Sequence, residues 1–466
     1  MATRLEKDTM GTVEVPAGAY YGAQTQRAIA NFPISGLKPH PALVRATIRI
    51  KKCAARANMA TGRLSAELGD AIVKAADQAL SGALADQFLV DPFQAGAGTS
   101  HNMNVNEVLA NRANELLGGE LGDYAKVNPN DHVNMAQSTN DVFPTAMRLA
   151  ALDLAGLLVE ELEGLAAALR HKAVEFDGIL KSGRTHLQDA VPIRLGQEFS
   201  AYAQAIGNNL AGIERTLPGL RELGIGGTAV GTGLNAEEAF IDLIVEGLAG
   251  ETGQDLTRGK DLVERMQNMD PFVALCSGLK GTAVNLIRIA NDLRLLSSGP
   301  RTGLGEIALP AMQPGSSIMP GKVNPVMAEV TDMVCFQVIG AELAVTMAAQ
   351  AGQLELNVMM PVIAYNTLFS LEILKNCVRQ FTHRCVAGIS ANEARCRSYL
   401  DQSVGLATVL APSIGYAAAA EVAKESAKSG KSIREVILER GMLTAVALDE
   451  VLAPYPLTTP GVHGEK

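Results

Sequence analysis

Proline is missing from five long stretches of this chain, and that absence constrains the fold more than any residue present. The gaps run from Pro144 to Pro192, Pro218 to Pro271, Pro271 to Pro300, Pro325 to Pro361 and Pro361 to Pro412. Proline removes a backbone donor and clashes with the preceding helical turn, so long helices form where it is absent. Ala, Leu, Glu, Lys and Arg fill the gaps, and these are strong helix formers. In the first gap Leu154, Leu157, Leu158, Leu162, Leu165 and Leu169 recur at spacings of three and four. That period predicts a helix with one wide buried face. Several helices of about 25 to 35 residues in succession predict an elongated, mainly all-α bundle.

A chain of 466 residues exceeds the needs of one small core, so several domains are expected. Residues 1–140 read as a mixed, mainly helical domain and 141–395 as the long-helix domain. Residues 396–466 read as a small α-helical unit ending in a Pro/Gly segment. The net charge of −9 argues against nucleic acid as a partner, because phosphate recognition needs a basic face. The opening residues, Met1 to Asp8, contain no apolar core, so no signal peptide is expected. The uncharged stretch 402–420 has the length of a membrane span, but Pro412, Ser413 and Gly415 interrupt it. It reads as two buried helical pieces, and no membrane partner is expected. Cys53, Cys276, Cys335, Cys377, Cys385 and Cys396 show no CxxC spacing. Free buried thiols in a reducing cytoplasm are the expectation.

Polar clusters fall at the ends of the expected helices. One is 96–104, with Thr99; a second is 134–141, with Ser138, Thr139 and Asn140; a third is 182–189, with Thr185 and His186. The fourth, 315–325, reads Gly-Ser-Ser-Ile-Met-Pro-Gly-Lys-Val-Asn-Pro and carries Ser316, Ser317, Lys322 and Asn324. Its glycines and prolines make it a loop. The clusters offer hydroxyls, amides, two imidazoles and one lysine. No HExxH, cysteine ligand set or paired carboxylate accompanies them, so neither a metal nor an organic cofactor is expected. The glycine run 226–233 lacks the βαβ setting of a dinucleotide loop. Neutral donors with a single lysine suit a small dicarboxylate. Deprotonation beside a carboxylate would load it with charge, as an aci-carboxylate, and preorganised donors would stabilise that state. Thr99, Ser138, Thr139 and Asn140 also fit the plainer role of helix caps, and Lys322 that of a solvated charge.

The 315–325 loop resembles, letter for letter, the fingerprint loop of the aspartase/fumarase superfamily. The runs 134–141, 183–197, 227–235, 290–301 and 352–358 are similar to corresponding segments of class II fumarases and aspartases. The resemblance implies a three-domain subunit and a homotetramer with a twenty-helix core, each active site being shared by three subunits. It implies that Ser316 removes the C3 proton, and that Ser317, Thr99, Ser138 and Thr139 hold the aci-carboxylate. It implies that Thr185, Lys322 and Asn324 clamp the other carboxylate, with Asn140 and His186 beside the leaving group, and that the 315–325 loop closes over substrate. Ala19-Tyr20-Tyr21-Gly22, Gly98-Thr99-Ser100-His101-Asn102, Gln137-Ser138-Thr139-Asn140-Asp141 and the segment from Tyr455-Pro456 to Pro460-Gly461 look like aspartases. His186, where some aspartases have Gln, and Met360, where they usually have Glu, point the other way. The expectation is an ammonia-lyase acting on L-aspartate, with fumarate hydratase as the alternative and a non-catalytic structural relative a remoter one.

Overall fold

The computed structural model describes residues 2–461. Residues 1 and 462–466, the extremes of the first and last expected domains, lie outside the described residues. Among the described residues there are eighteen α-helices and four two-stranded sheets, so the fold is mainly α as expected. The packing resolves into two compact units. One takes the described residues of Met1–Val159 with Ala211–Gly281 and Phe336–Leu374; the other takes Glu160–Leu210, Thr282–Cys335 and the described residues of Lys375–Lys466.

In the first unit, helices Pro41–Ala60, Ala66–Leu80 and Thr99–Leu116 share one apolar core. Ile48, Ile72, Val105, Val108 and Leu109 are fully or almost fully buried there. Each such side chain contributes roughly 1.5–3 kcal/mol of transfer free energy. Pro41 starts its helix at a position where no N–H is needed, and the His40 ring accepts from the Ala42 N–H. His101 is buried beside Phe143, and burial pushes its imidazole down to about 4, so it is neutral at physiological pH.

In the second unit, Leu400, Leu406, Leu410, Val422, Ile433, Val436, Ile437 and Leu448 form a separate core under the last helices. The stretch 402–420 is two helical pieces, with Leu406–Ile414 ending at Gly415 and Tyr416–Ser429 following. Each buries one side only; Tyr416 is exposed. All six cysteines are free and buried.

The leucine-rich gap forms a helix from Thr139 to Glu175, 37 residues long. It begins before Pro144 instead of after it. Of the six leucines, all but Leu157 are buried. The rest of that gap differs from a helix: Leu180–Thr185 and Gln188–Arg194 pair as an antiparallel hairpin. The Pro218–Pro271 gap also breaks. Helix Glu238–Thr252 and the short helix Leu262–Gln267 occupy it, and Glu222–Leu223 pairs in parallel with Thr257–Arg258. The glycines of 224–233 interrupt any continuous helix there, because they carry no side chains to pack.

Helices Asp270–Leu296, Val326–Gln350 and Met360–Arg384 lie in the remaining gaps, the last of which also holds the shorter helix Glu393–Gln402. Two of them keep an exposed seam. On Val326–Gln350, Met333, Phe336, Gly340, Leu343 and Met347 are exposed at alternating spacings of three and four, with Phe336 at 60% and Leu343 at 62%. On Asp270–Leu296, Ala274, Ser277, Gly281, Val284, Arg288, Asn291 and Leu295 repeat the same spacing. Together with Thr139–Glu175, these helices are long and apolar enough to cross a membrane by length and composition.

Candidate active site

The 315–325 loop closes on itself. The Gly315 N–H donates to the Lys322 carbonyl at 2.7 Å, and the Asn324 side-chain amide donates to the Gly315 carbonyl at 2.8 Å. A Cβ at Gly315 would stand 2.6 Å from the Lys322 oxygen, so only glycine lets the two strands of the loop approach this closely. Within the loop, Ser316 Oγ accepts the backbone N–H of Ile318 at 3.2 Å and of Met319 at 3.0 Å. Two fixed dipoles therefore point at the serine oxygen and favour negative charge on it. Ser317 and Lys322 are exposed, as are Ile318 and Met319. Asn324 has one structural duty, the bond to Gly315.

The same unit carries Thr185 and His186 at the tip of the Leu180–Thr185/Gln188–Arg194 hairpin. His186 and Leu187 form its two-residue turn, with φ of 55° and 58°. Such a mirror-image turn suits right-twisted strands but is normally made by Asn-Gly. Here two residues with full side chains hold left-handed backbone, at a cost of order 1–2 kcal/mol each. The root of the hairpin explains how that is sustained. Glu306, fully buried, accepts both contacts from Arg184 Nη1, at 2.9 and 3.0 Å. Lys181 reaches Glu198 at 2.8 Å and Glu306 at 3.3 Å. Two cations and two carboxylates thus neutralise each other beneath the turn. Glu306 also fixes the start of the connection to Ser316: its N–H donates to the Leu296 carbonyl, and its carbonyl accepts from Asn392.

Ser138, Thr139 and Asn140 lie together in the first unit. The Asn140 N–H donates to Ser138 Oγ at 3.2 Å, so Ser138 does cap the Thr139–Glu175 helix. Asp141 returns the bond by accepting the Ser138 N–H at 2.9 Å. Thr139 Oγ1 accepts from the Asn102 amide at 3.1 Å, and the Asn140 amide donates to the Ala229 carbonyl at 2.8 Å. Asp141 is fully buried, and its second oxygen accepts the Gly226 and Thr228 N–H groups at 3.0 and 2.9 Å. The glycine run 226–233 is thus a backbone support for this cluster. Thr99 is the exposed first residue of its helix, and no side chain caps that helix. Gly98 precedes it with φ of 85°, its α-carbon against the Phe143 ring; a Cβ there would meet the ring at 2.3 Å.

The sequence-selected residues therefore fall into two groups: Thr99, Ser138, Thr139 and Asn140 in one unit, and Thr185, His186, Ser316, Ser317, Lys322 and Asn324 in the other. Among the described residues, no cluster of three His, Cys, Asp or Glu side chains is placed to hold a metal. Sequence reasoning missed the supports. Glu306 lies unmarked in a long loop. Lys51 had a readable signal: it sits on the apolar stripe of Val44, Ile48 and Ala55, where a charge needs a partner.

Comparison with known proteins identifies relatives along nearly the whole chain. The model of a family described as lyase matches residues 11–340, and one described as the fumarase C C-terminus matches residues 406–459. An aspartate ammonia-lyase from a Bacillus species is 52% identical, covering 99% of both chains. A class II fumarate hydratase from Rhizobium meliloti (strain 1021) is 48% identical, covering 98% of this chain and 99% of that protein. A crystal structure of a fumarate lyase:delta crystallin from Brucella melitensis bound to cobalt superposes with a TM-score of 0.95. It shares 49% identity over 98% of this chain and all of that one.

Proposed function

The chain belongs to the lyase family whose model spans residues 11–340, a family of enzymes, and on that premise we propose that it is an aspartate ammonia-lyase. It converts L-aspartate reversibly to fumarate and ammonia. The observation that carries the reading is the setting of Ser316, whose oxygen receives two backbone N–H groups in a loop that also bears Lys322. A serine oxygen held this way can act as an alkoxide base, the task that chemistry without a catalytic carboxylate demands.

In this reading Ser316 takes the C3 proton, and the electron pair enters the adjacent carboxylate as an aci-carboxylate. Ser317, Thr99, Ser138 and Thr139 donate to its oxygens. Thr185, Lys322 and Asn324 hold the other carboxylate. The pair then returns to form the C2–C3 double bond as the C2–N bond breaks. The amine departs as ammonia beside Asn140 and His186, needing less protonation than hydroxide would. The proton held by Ser316 then passes to the released ammonia, which leaves as ammonium and restores the base, so the reaction as written balances and calls for no organic cofactor.

Fumarate hydratase is the second reading. The named Rhizobium relative supports it, and so does Met360, a fully buried apolar side chain at the start of the Met360–Arg384 helix. Ammonia release from L-aspartate and fumarate formation from L-malate, followed side by side, separate the two. Ammonia release with an inert malate reaction is expected. Ready hydration of fumarate together with indifference to ammonia would make this a hydratase.

The exposed seams support a homotetramer whose sites draw residues from three subunits. Alternating three-and-four spacing is the pattern of helices that pack along their length. Small residues such as Ala274, Ser277 and Gly281 allow close approach, whereas Arg288 and Asn291 on the same seam would be costly in lipid. Light scattering at assay concentration should give a four-chain mass; an active single-chain species refutes the assembly. A cytoplasmic location and the division at 1–140, 141–395 and 396–466 belong to the same proposal.

A further inference from the structure

The reaction proposed above leaves several buried cations unused, and Lys51 is the one bonded to the 134–141 cluster. Lys51, in the middle of the Pro41–Ala60 helix, has no exposed surface. Its Nζ donates to Asn134 Oδ1 at 2.8 Å and to Gln137 Oε1 at 3.0 Å. Both acceptors belong to the segment that carries Ser138, Thr139 and Asn140. Asn134 is the hub of the arrangement. Its Oδ1 also accepts from the Asn102 and Asn106 amides, each at 3.2 Å, and its own amide donates to the Gln137 carbonyl at 3.2 Å. The Gln137 amide donates to the Val133 and Met135 carbonyls. The Asn102 amide that reaches Asn134 reaches Thr139 Oγ1 as well. At the other end of the segment Asp141 holds Ser138, Gly226 and Thr228.

The segment is therefore pinned at one end by a buried amine and at the other by a buried carboxylate. Burial pushes Lys51 down to about 7, against the attraction of Asp141. It pushes Asp141 up to about 6, against its three backbone donors and Lys51. Burying an amine here carries a desolvation cost that its two hydrogen bonds offset. What the amine adds is direction: two acceptors on one segment, held at fixed positions.

We propose that Lys51 is a positioning residue for the elimination, its amine setting the 134–141 segment so that Ser138, Thr139 and Asn140 face the reacting end of the substrate. The proposal rests on the reading of those three residues given above. Displacing such groups by about 1 Å costs on the order of a hundredfold in rate. Lys51→Met is expected to lower kcat by about thirtyfold or more, with KM within about threefold of wild type and only a small fall in melting temperature, since Asn134 Oδ1 keeps its two amide donors. A kcat within about threefold of wild type overturns the proposal. So does a loss that comes with a large fall in melting temperature and in the fraction of folded protein, since that is a purely structural role. If Lys51→Met does not fold, Gln137→Leu decides, because the amine keeps its bond to Asn134. A fall of about tenfold in kcat at unchanged KM supports the proposal, and a wild-type kcat overturns it. Wild-type protein assayed beside the variants separates the two readings. If it turns over neither L-aspartate nor L-malate, the functional reading falls and this proposal with it. An active wild type beside an equally active Lys51→Met sinks this proposal alone.

Discussion

Ser316→Ala should lose about 10³-fold or more in kcat while folding and assembling as the wild type does. A positioned base is worth roughly 10²–10⁴ in rate, and the variant removes the atom that accepts the proton. The structural cost is small for a local reason. The two N–H groups that Ser316 Oγ accepts belong to Ile318 and Met319, and both residues are exposed, so water satisfies those donors in the variant. The closure of the loop does not pass through the serine side chain, since Gly315, Lys322 and Asn324 make it. Circular dichroism and size-exclusion profiles should therefore overlay those of the wild type. Turnover within tenfold of wild type would place the base elsewhere.

Glu306→Ala should be among the most destabilising single substitutions in the chain, by about 3–5 kcal/mol. Glu306 is fully buried and faces Arg184 and Lys181, whose side chains are themselves largely enclosed. Glu198 retains Lys181, but the Arg184 guanidinium would keep its charge and lose both carboxylate contacts. The wild-type quartet need not stabilise much relative to an apolar one; the cost comes from stranding one charge in a dry site. The effect should extend to activity, because Arg184 immediately precedes Thr185 and the strained His186–Leu187 turn. Guanidinium unfolding read by fluorescence or circular dichroism measures the loss. A change below about 1 kcal/mol would show that water enters the site and screens the cations.

The legible parts of this molecule are those whose physics is local. The leucine period of Thr139–Glu175 was readable because helical spacing marks a buried face wherever it occurs, and only Leu157 departs from it. The polar loops were readable because glycine and proline punctuate them. The hairpin beneath His186 was not, because its turn uses His-Leu where the usual signal is Asn-Gly, and the strain is borne by contacts with Glu306, 122 positions away. The same holds for Lys51: its place on an apolar stripe is visible, but its partners Asn134 and Gln137 are 83 and 86 positions distant. For the candidate site, the residues proposed to touch substrate stood out by type, whereas the groups that aim them are ordinary charged residues made special by burial. In the Pro218–Pro271 gap the 224–233 glycines outweigh the helix formers around them.

The six enclosed thiols have a practical consequence. Burial pushes Cys53 and Cys276 up to about 11 and Cys385 and Cys396 up to about 12, and raises Cys335 and Cys377 as well. Thiolate is the reactive form, and the native protein offers almost none of it at neutral pH. Alkylation must wait for a segment to open, so its rate counts openings. Cys53 and Cys276 report on one compact unit, and Cys335, Cys377, Cys385 and Cys396 on the other. The chain carries its own unlabelled clocks for breathing, readable by mass spectrometry without altering a single residue.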